Sequence, residues 1–218
     1  MYAAKEESTF LIFILSSFLS AITILIWLAF PLFLAAQTIG TFPHTEDFEG
    51  ASFSYFNTSG FGDDFDWSLN SGATGSPGTG PSSDHTSGAG SYVYTESSNP
   101  NYPNKSADLV SSTYDFSNLT TANFTFWWHQ YASNSTNAPG YFLVYVSTNN
   151  QNYSLYYQEQ YEYNGIDDWR QAYIDLSPLA GEDTVSFMIR VVTLSWQSDV
   201  ALDDFTVNGS ASAAACTE

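Results

Sequence analysis

Three stretches of this chain repeat with a period of two, and that period most narrows what it can fold into. Phe124, Phe126 and Trp128 share one side of an extended segment, with Asn123, Thr125, Trp127 and His129 on the other. Phe142, Val144 and Val146 share a side. So do Val185, Phe187, Ile189 and Val191, opposite Ser186, Met188 and Arg190. One apolar face at this period is the pattern of a strand packed on one side only. Aromatic side chains make up 17% of the residues, which again favours strands. Further strands are expected near Tyr153–Gln160 and Trp169–Leu176, and no helical period follows Ala36. About ten short strands with turn signals between them close most naturally as an all-β, two-sheet antiparallel β-sandwich of jelly-roll type.

One stretch breaks the rhythm. Between a strand at Asp66-Trp67-Ser68-Leu69 and another at Ser91-Tyr92-Val93-Tyr94 runs a long Gly/Ser/Pro/Thr loop, with Asp84-His85-Thr86 near its end. No helix or sheet absorbs such a composition. A loop of this length in a compact domain is functional or disordered, and the acids at its edges favour function.

The formal net charge is −19. All but Glu6, Glu7 and Glu218 of the 23 acids, and all but Lys5 of the four bases, fall within residues 46–208. Such a surface repels nucleic acid and anionic lipid and attracts cations. The only cysteine is Cys216, so no internal disulfide and no cysteine metal site can form, and the apolar core must supply stability.

Phe10 to Ala36 carries no charged side chain and is long enough to span a bilayer. Residues 1–36 read either as a cleaved signal peptide, with Leu34-Ala35-Ala36 as the end of the signal, or as an uncleaved signal-anchor helix; both place the rest outside the cytoplasm. Residues 37–45 read as a linker, 46–208 as the sandwich, and 209–218 as a second linker before a possible further module. Contact with a membrane is expected only through residues 10–36, and only if they are retained.

Catalytic patterns are missing. His44, His85 and His129 do not form H-E-x-x-H, and there is no G-x-S-x-G. Asp64, Asp66, Ser68 and Asn70 imitate the start of an EF-hand, but Leu69 and Gly75 stand where that loop needs Gly and Glu; a strand with Trp67 inward explains them better. Trp127, Trp128 and Trp169 read as ordinary strand packing, whereas Tyr157, Tyr161 and Tyr163, near an Asn164-Gly165 turn, are candidate ligand-binding residues. A hard-cation site is expected from three acids: Glu49 on the opening strand, Asp84 at the end of the loop, and Asp203 on the closing strand. First and last strands of a jelly roll can lie close together. Asp203 shares parity with Ala201, Phe205 and Val207, so it is expected to point inward, where a carboxylate needs a partner or a metal.

The order of motifs resembles a family. Phe48-Glu49, then Asp66-Trp67 and Gly80-Pro81-x-x-Asp84-His85-Thr86 segments, then Gly88-x-Gly90-Ser91-Tyr92, Phe124-Thr125-Phe126-Trp127-Trp128-His129, Gly140-Tyr141-Phe142 and Ala201-Leu202-Asp203-Asp204-Phe205 are similar to a MAM domain, of the type found in secreted multi-domain proteins of Bacteroidetes. The resemblance runs from about Glu46 to Asn208. It implies a sandwich fold, an extracellular or cell-surface place, and a non-catalytic adhesion or recognition role toward an extracellular protein or glycan, including contacts between copies. It also implies a structural calcium-like cation held by Glu49, Asp84 and Asp203 or Asp204, with Thr86 able to add an oxygen. Animal members carry disulfides that this chain lacks. The rival reading is a carbohydrate-binding module attached to a secreted protease or glycosidase.

Small residues at Ala35-Ala36 predict that export removes the chain up to about Ala36. N-terminal sequencing of exported protein checks this, and a mature chain that keeps Phe10–Phe33 and sediments with membranes establishes the anchor instead.

Overall fold

The computed structural model describes residues 38–50, 54–57, 62–134, 139–160 and 166–211. The signal or anchor segment and Cys216 lie outside them. Among the described residues there are eleven strands: β1 (His44–Glu46), β2 (Tyr55–Asn57), β3 (Ser68–Asn70), β4 (Tyr92–Thr95), β5 (Ser106–Ser111), β6 (Leu119–His129), β7 (Tyr141–Ser147), β8 (Ser154–Gln160), β9 (Arg170–Asp175), β10 (Ser186–Val192) and β11 (Val200–Ala211). A single 3-10 turn, Ser177–Leu179, is the only helical element among the described residues. No helix there is long and apolar enough to cross a membrane.

Two antiparallel sheets form. One runs β3-β4-β11-β6-β9, with β1 also on β11; the other runs β2-β5-β10-β7-β8. From β4 onward the chain interleaves early and late strands in both sheets, β4-β11-β6-β9 facing β5-β10-β7-β8. Greek-key connections produce this order. The alternating stretches supply the facing surfaces. Phe124, Phe126, Phe142, Val144, Val185, Phe187, Ile189 and Val191 are fully buried. The rings of Phe124 and Phe187 stack across the two sheets at 5.0 Å. Phe205 sits at the centre of an aromatic cluster, edge-on to Tyr55 at 4.7 Å, Phe48 at 5.0 Å and Phe124 at 5.5 Å.

The boundaries differ from the sequence reading. Much of the segment 37–45, expected as a linker, is part of the domain: Ile39 bridges Tyr114, and His44 and Thr45 pair with Val207 and Thr206. At the other end β11 continues past Asn208 to Ala211. A short opening strand without an alternating pattern leaves no period to read; the unpaired edge of β11 recruits it.

The core depends on the cross-sheet ring contact. Phe187→Ala is expected to lower stability by roughly 3–5 kcal/mol, measured by denaturant unfolding, whereas the melting curve of wild type is expected to be identical with and without dithiothreitol.

Candidate functional site

The site begins with one backbone irregularity. Along β11, Leu202 pairs with Trp128 and Asp203 with Trp127; pairing resumes only at Thr206 with Thr125. Between them Asp204 adopts a left-handed backbone, φ 50. A bulge of this kind adds a residue and switches the side-chain alternation. Leu202 before it and Phe205 after it both face the core. Asp203 therefore lies on the outer face beside Trp127. This corrects the expectation from parity that Asp203 points inward with Ala201, Phe205 and Val207: Ala201 and Asp203 share the outer face, Phe205 and Val207 the core. Asp203 is nonetheless only 1% exposed.

The long loop buries it. Residues 71–91 leave β3, cross the outer face of the sheet and return to β4. The strap is tied down along its whole length. The Tyr92 hydroxyl donates to the Gly72 carbonyl at 2.7 Å. Ser133 N and Gln197 Nε2 donate to the Gly78 carbonyl at 2.9 and 2.8 Å. Thr79 bridges Ala132. Trp169 Nε1 donates to the Ser83 carbonyl at 3.2 Å. The His85 ring lies flat on Trp127, centroids 3.7 Å apart. Trp127, Trp128 and Trp169 thus pack as strand and strap aromatics.

The predicted acids hold the end of the strap. His85 N donates to Asp203 Oδ2 at 2.9 Å, and His85 Nδ1 meets Asp204 Oδ2 at 2.7 Å. The Thr86 hydroxyl also donates to Asp204 Oδ2. Asp84 folds the strap back on itself: Ser87 N and Gly90 N donate to its two oxygens, each at 2.8 Å. Glu49, which is exposed, accepts from Ser91 N at 2.7 Å. A Cβ at Gly90 would stand 1.8 Å from Glu49 Oε1, so a larger residue there would displace the Glu49 carboxylate from its place beside Ser91. So the structure brings Asp203 and Asp204 together around His85, and Asp84 and Glu49 together around Gly90-Ser91.

Burial pushes the Asp203 carboxyl up to about 7, reinforced by the charges of Asp204 and Asp84, against the N–H groups of His85 and Asp204. Burial also pushes Asp84 up, but the Ser87 and Gly90 N–H groups outweigh it and hold Asp84 below its ordinary value. Calcium takes six to eight oxygens from carboxylates, carbonyls and hydroxyls. The donors here fit it in kind, and the raised Asp203 carboxyl marks a place short of positive charge. Among the described residues, however, no three carboxylates or imidazoles are arranged to hold a metal ion. Both oxygens of Asp84 and of Asp203 already accept N–H bonds.

Tyr157 is half-buried, its ring 6.1 Å from Phe142 and its hydroxyl donating to Glu159 at 2.7 Å. It thus packs against the edge of the core while remaining partly exposed. Tyr161 and Tyr163 lie outside the described residues. Sequence reasoning missed Asp199, fully buried, accepting from Ser97 N at 2.8 Å and pushed up to about 7 by burial and then by Glu96. Its signal was present: Asp199 stands immediately before β11, four residues ahead of Asp203 and so of the same parity along the extended chain. The pair of His129 and Asp167, at 3.0 Å, was also missed, because Asp167 is 38 residues distant in sequence.

The chain matches the family model described as MAM domain, meprin/A5/mu, over residues 47–216. Among solved structures it is similar to a cleaved adhesin domain of Lys-gingipain from Porphyromonas gingivalis, at 21% identity, covering 78% of this chain and 99% of that one, with a TM-score of 0.54. A second cleaved adhesin domain of Lys-gingipain aligns at 20% identity over 76% of this chain and 98% of that one, with a TM-score of 0.53. At these identities the likeness to the solved structures is one of fold, whereas the family match takes in most of the chain: it belongs to the MAM domain family.

Proposed function

We propose that this chain is an extracellular, non-catalytic recognition module that adheres to a partner protein. The observation that carries the reading is how the chemically capable residues are used. Asp84, Asp203, Asp204, His85 and Glu49 all fasten the strap. A surface loop fixed at this many points costs little to order when a partner arrives, and such preorganisation favours binding. Surface display of the chain on beads, followed by capture from a pool of extracellular proteins and from a glycan array, tests it. Saturable protein capture supports adhesion. Selective glycan capture with no protein capture puts a carbohydrate-binding module in its place.

The proposal includes a structural calcium-like cation. It would be held by Asp84, Asp203 and Asp204, with Glu49 beside them and Thr86 adding an oxygen, and it would supply the positive charge that the outer face lacks. Its role is to stiffen the strap. Melts in calcium and in chelator measure it; coincident curves for wild type remove the cation from the reading.

The raised Asp203 carboxyl gives a pH signature. Unfolded, it titrates near its ordinary value of 3.8; folded, near about 7. Below about 4 both states hold the proton, so the group has no net effect. Between about 4 and 7 only the folded state keeps it, so stability falls as pH rises through that window. Asp199 contributes in the same direction. Asp203→Asn is expected to flatten the fall, measured by chelator-treated melts from pH 4 to 8. An equally steep fall in that variant assigns the slope to other groups.

A further inference from the structure

The middle of the strap curls on itself. The Thr74 hydroxyl donates to the Thr79 carbonyl at 2.6 Å, and Thr74 N donates to the Pro81 carbonyl at 3.2 Å. Gly80, at φ 66, allows the curl to close, for a Cβ there would meet Thr74 at 2.5 Å. Between residues 73–82 of this curl and the pair Tyr131 and Asp167 lies a cavity of about 170 Å³. That is below the roughly 300–1,000 Å³ of small-molecule pockets, and suits one side chain rather than a peptide segment.

Its chemistry is one-sided. Asp167 is more than half exposed, and its Oδ1 meets His129 Nε2 at 3.0 Å. His129 is 2% exposed, and its Nδ1 has no partner, so Nε2 carries the proton and donates it. Burial lowers the His129 pKa, more than Asp167 raises it, so the imidazole is neutral and leaves the carboxylate charge in place. The histidine fixes the orientation of Asp167 and leaves Oδ2 for a ligand. Tyr131 also lines the cavity, and no basic side chain does. A chain of net charge −19 adds a field that draws cations to it.

We propose that this cavity receives the guanidinium of an arginine side chain from a basic partner protein, paired with Asp167 and lying against Tyr131. The inference rests on the reading of the chain as a protein-recognition module and names the chemistry its partner presents. A planar guanidinium uses both features at once, as a fork toward a fixed carboxylate and as a flat cation on an aromatic face. An ammonium lacks the plane and a neutral sugar lacks the charge.

Four probes separate these cases by NMR titration of the full exported chain: acetyl-arginine amide, acetyl-lysine amide, acetyl-citrulline amide and methyl galactoside. The arginine derivative is expected to bind with a Kd on the order of 1 mM, shifting the Tyr131 ring signals. Citrulline, equal in shape and uncharged, should bind about tenfold more weakly or worse. Asp167→Asn keeps an acceptor for His129 and should melt like wild type while losing the arginine response to the same extent. Tyr131→Leu is a second variant that keeps the charge and removes the flat face, with a smaller loss. Equal binding of arginine and citrulline overturns the proposal, as does arginine binding that survives in Asp167→Asn, or preference for the galactoside. Since the probe is a free amino-acid derivative, its result is read independently of whether any partner protein is captured.

Discussion

The left-handed residue in β11 is the constraint on which both halves of this molecule depend. A regular strand would place Asp203, Phe205 and Val207 on one side, forcing either a carboxylate into the core or two apolar side chains out of it. The extra residue at Asp204, φ 50, resolves the conflict by inverting the alternation between them. Phe205 then reaches the centre of the aromatic cluster, and Asp203 reaches the outer face. Aspartate is among the few residues that tolerate this backbone region, and Asp204 N donates to the preceding Asp203 side chain at 2.9 Å, which helps hold the kink. The same bulge turns Asp204 toward His85. One irregular residue thus completes the core on one side of the sheet and fastens the strap on the other.

That fastening has an electrostatic cost. Asp84, Asp199 and Asp203 are all at least 97% buried beneath or beside the strap. The bases of the sandwich are committed elsewhere. Arg190 grips Asp108 with two bonds of 2.6 Å, Lys105 meets Asp64 at 2.8 Å, and Arg170 lies over the Trp128 ring at 5.0 Å. Main-chain N–H groups therefore do the neutralising. Where two of them converge on one carboxylate in a tight turn, as at Asp84, they prevail over desolvation. Asp203 also receives two, but with Asp204 and Asp84 nearby burial prevails and the carboxyl titrates near about 7. The difference follows desolvation first: Asp203 lies deeper, and the charges of Asp204 and Asp84 add to it, whereas the hydrogen bonds of the turn around Asp84 outweigh its burial.

Most of the fold could be read from residues alone because the period-two signal is local: Phe124 to Trp128 and Val185 to Val191 announce their faces without reference to anything distant. Glu49, Asp84, Asp203 and Asp204 were singled out together as one set of ligands; the structure sets them at the strap's end as two pairs, Asp203 and Asp204 at His85 and Asp84 and Glu49 at Gly90-Ser91. The orientation of Asp203 was not readable. It depends on a bulge whose sole sequence trace is a second aspartate, and parity counted through a bulge gives the wrong face for every residue on one side of it. The His129–Asp167 pair was hidden for a different reason. His129 ends a strand and Asp167 precedes another, and only the β6–β9 pairing brings them together.

A loop of glycine, serine and proline loses much conformational entropy when fixed, on the order of 1–2 kcal/mol per residue for the backbone, and nothing apolar within it can offset that. The offset here comes from outside the loop. The outer face of the sheet presents Trp127, Trp169, Tyr92 and His129, and the strap lies on them as a lid lies on a second, smaller core, with His85 as its one aromatic contribution. This accounts for why the two tryptophans face outward from a sandwich already rich in core aromatics. It also separates two roles that the sequence runs together. The acids at the end of the strap are consumed in holding it, whereas the curl in its middle, which Gly80 allows to close, forms a cavity with Tyr131 and Asp167, whose carboxylate stays more than half exposed. The proposed recognition site falls at the second place, and the first is occupied in holding the strap.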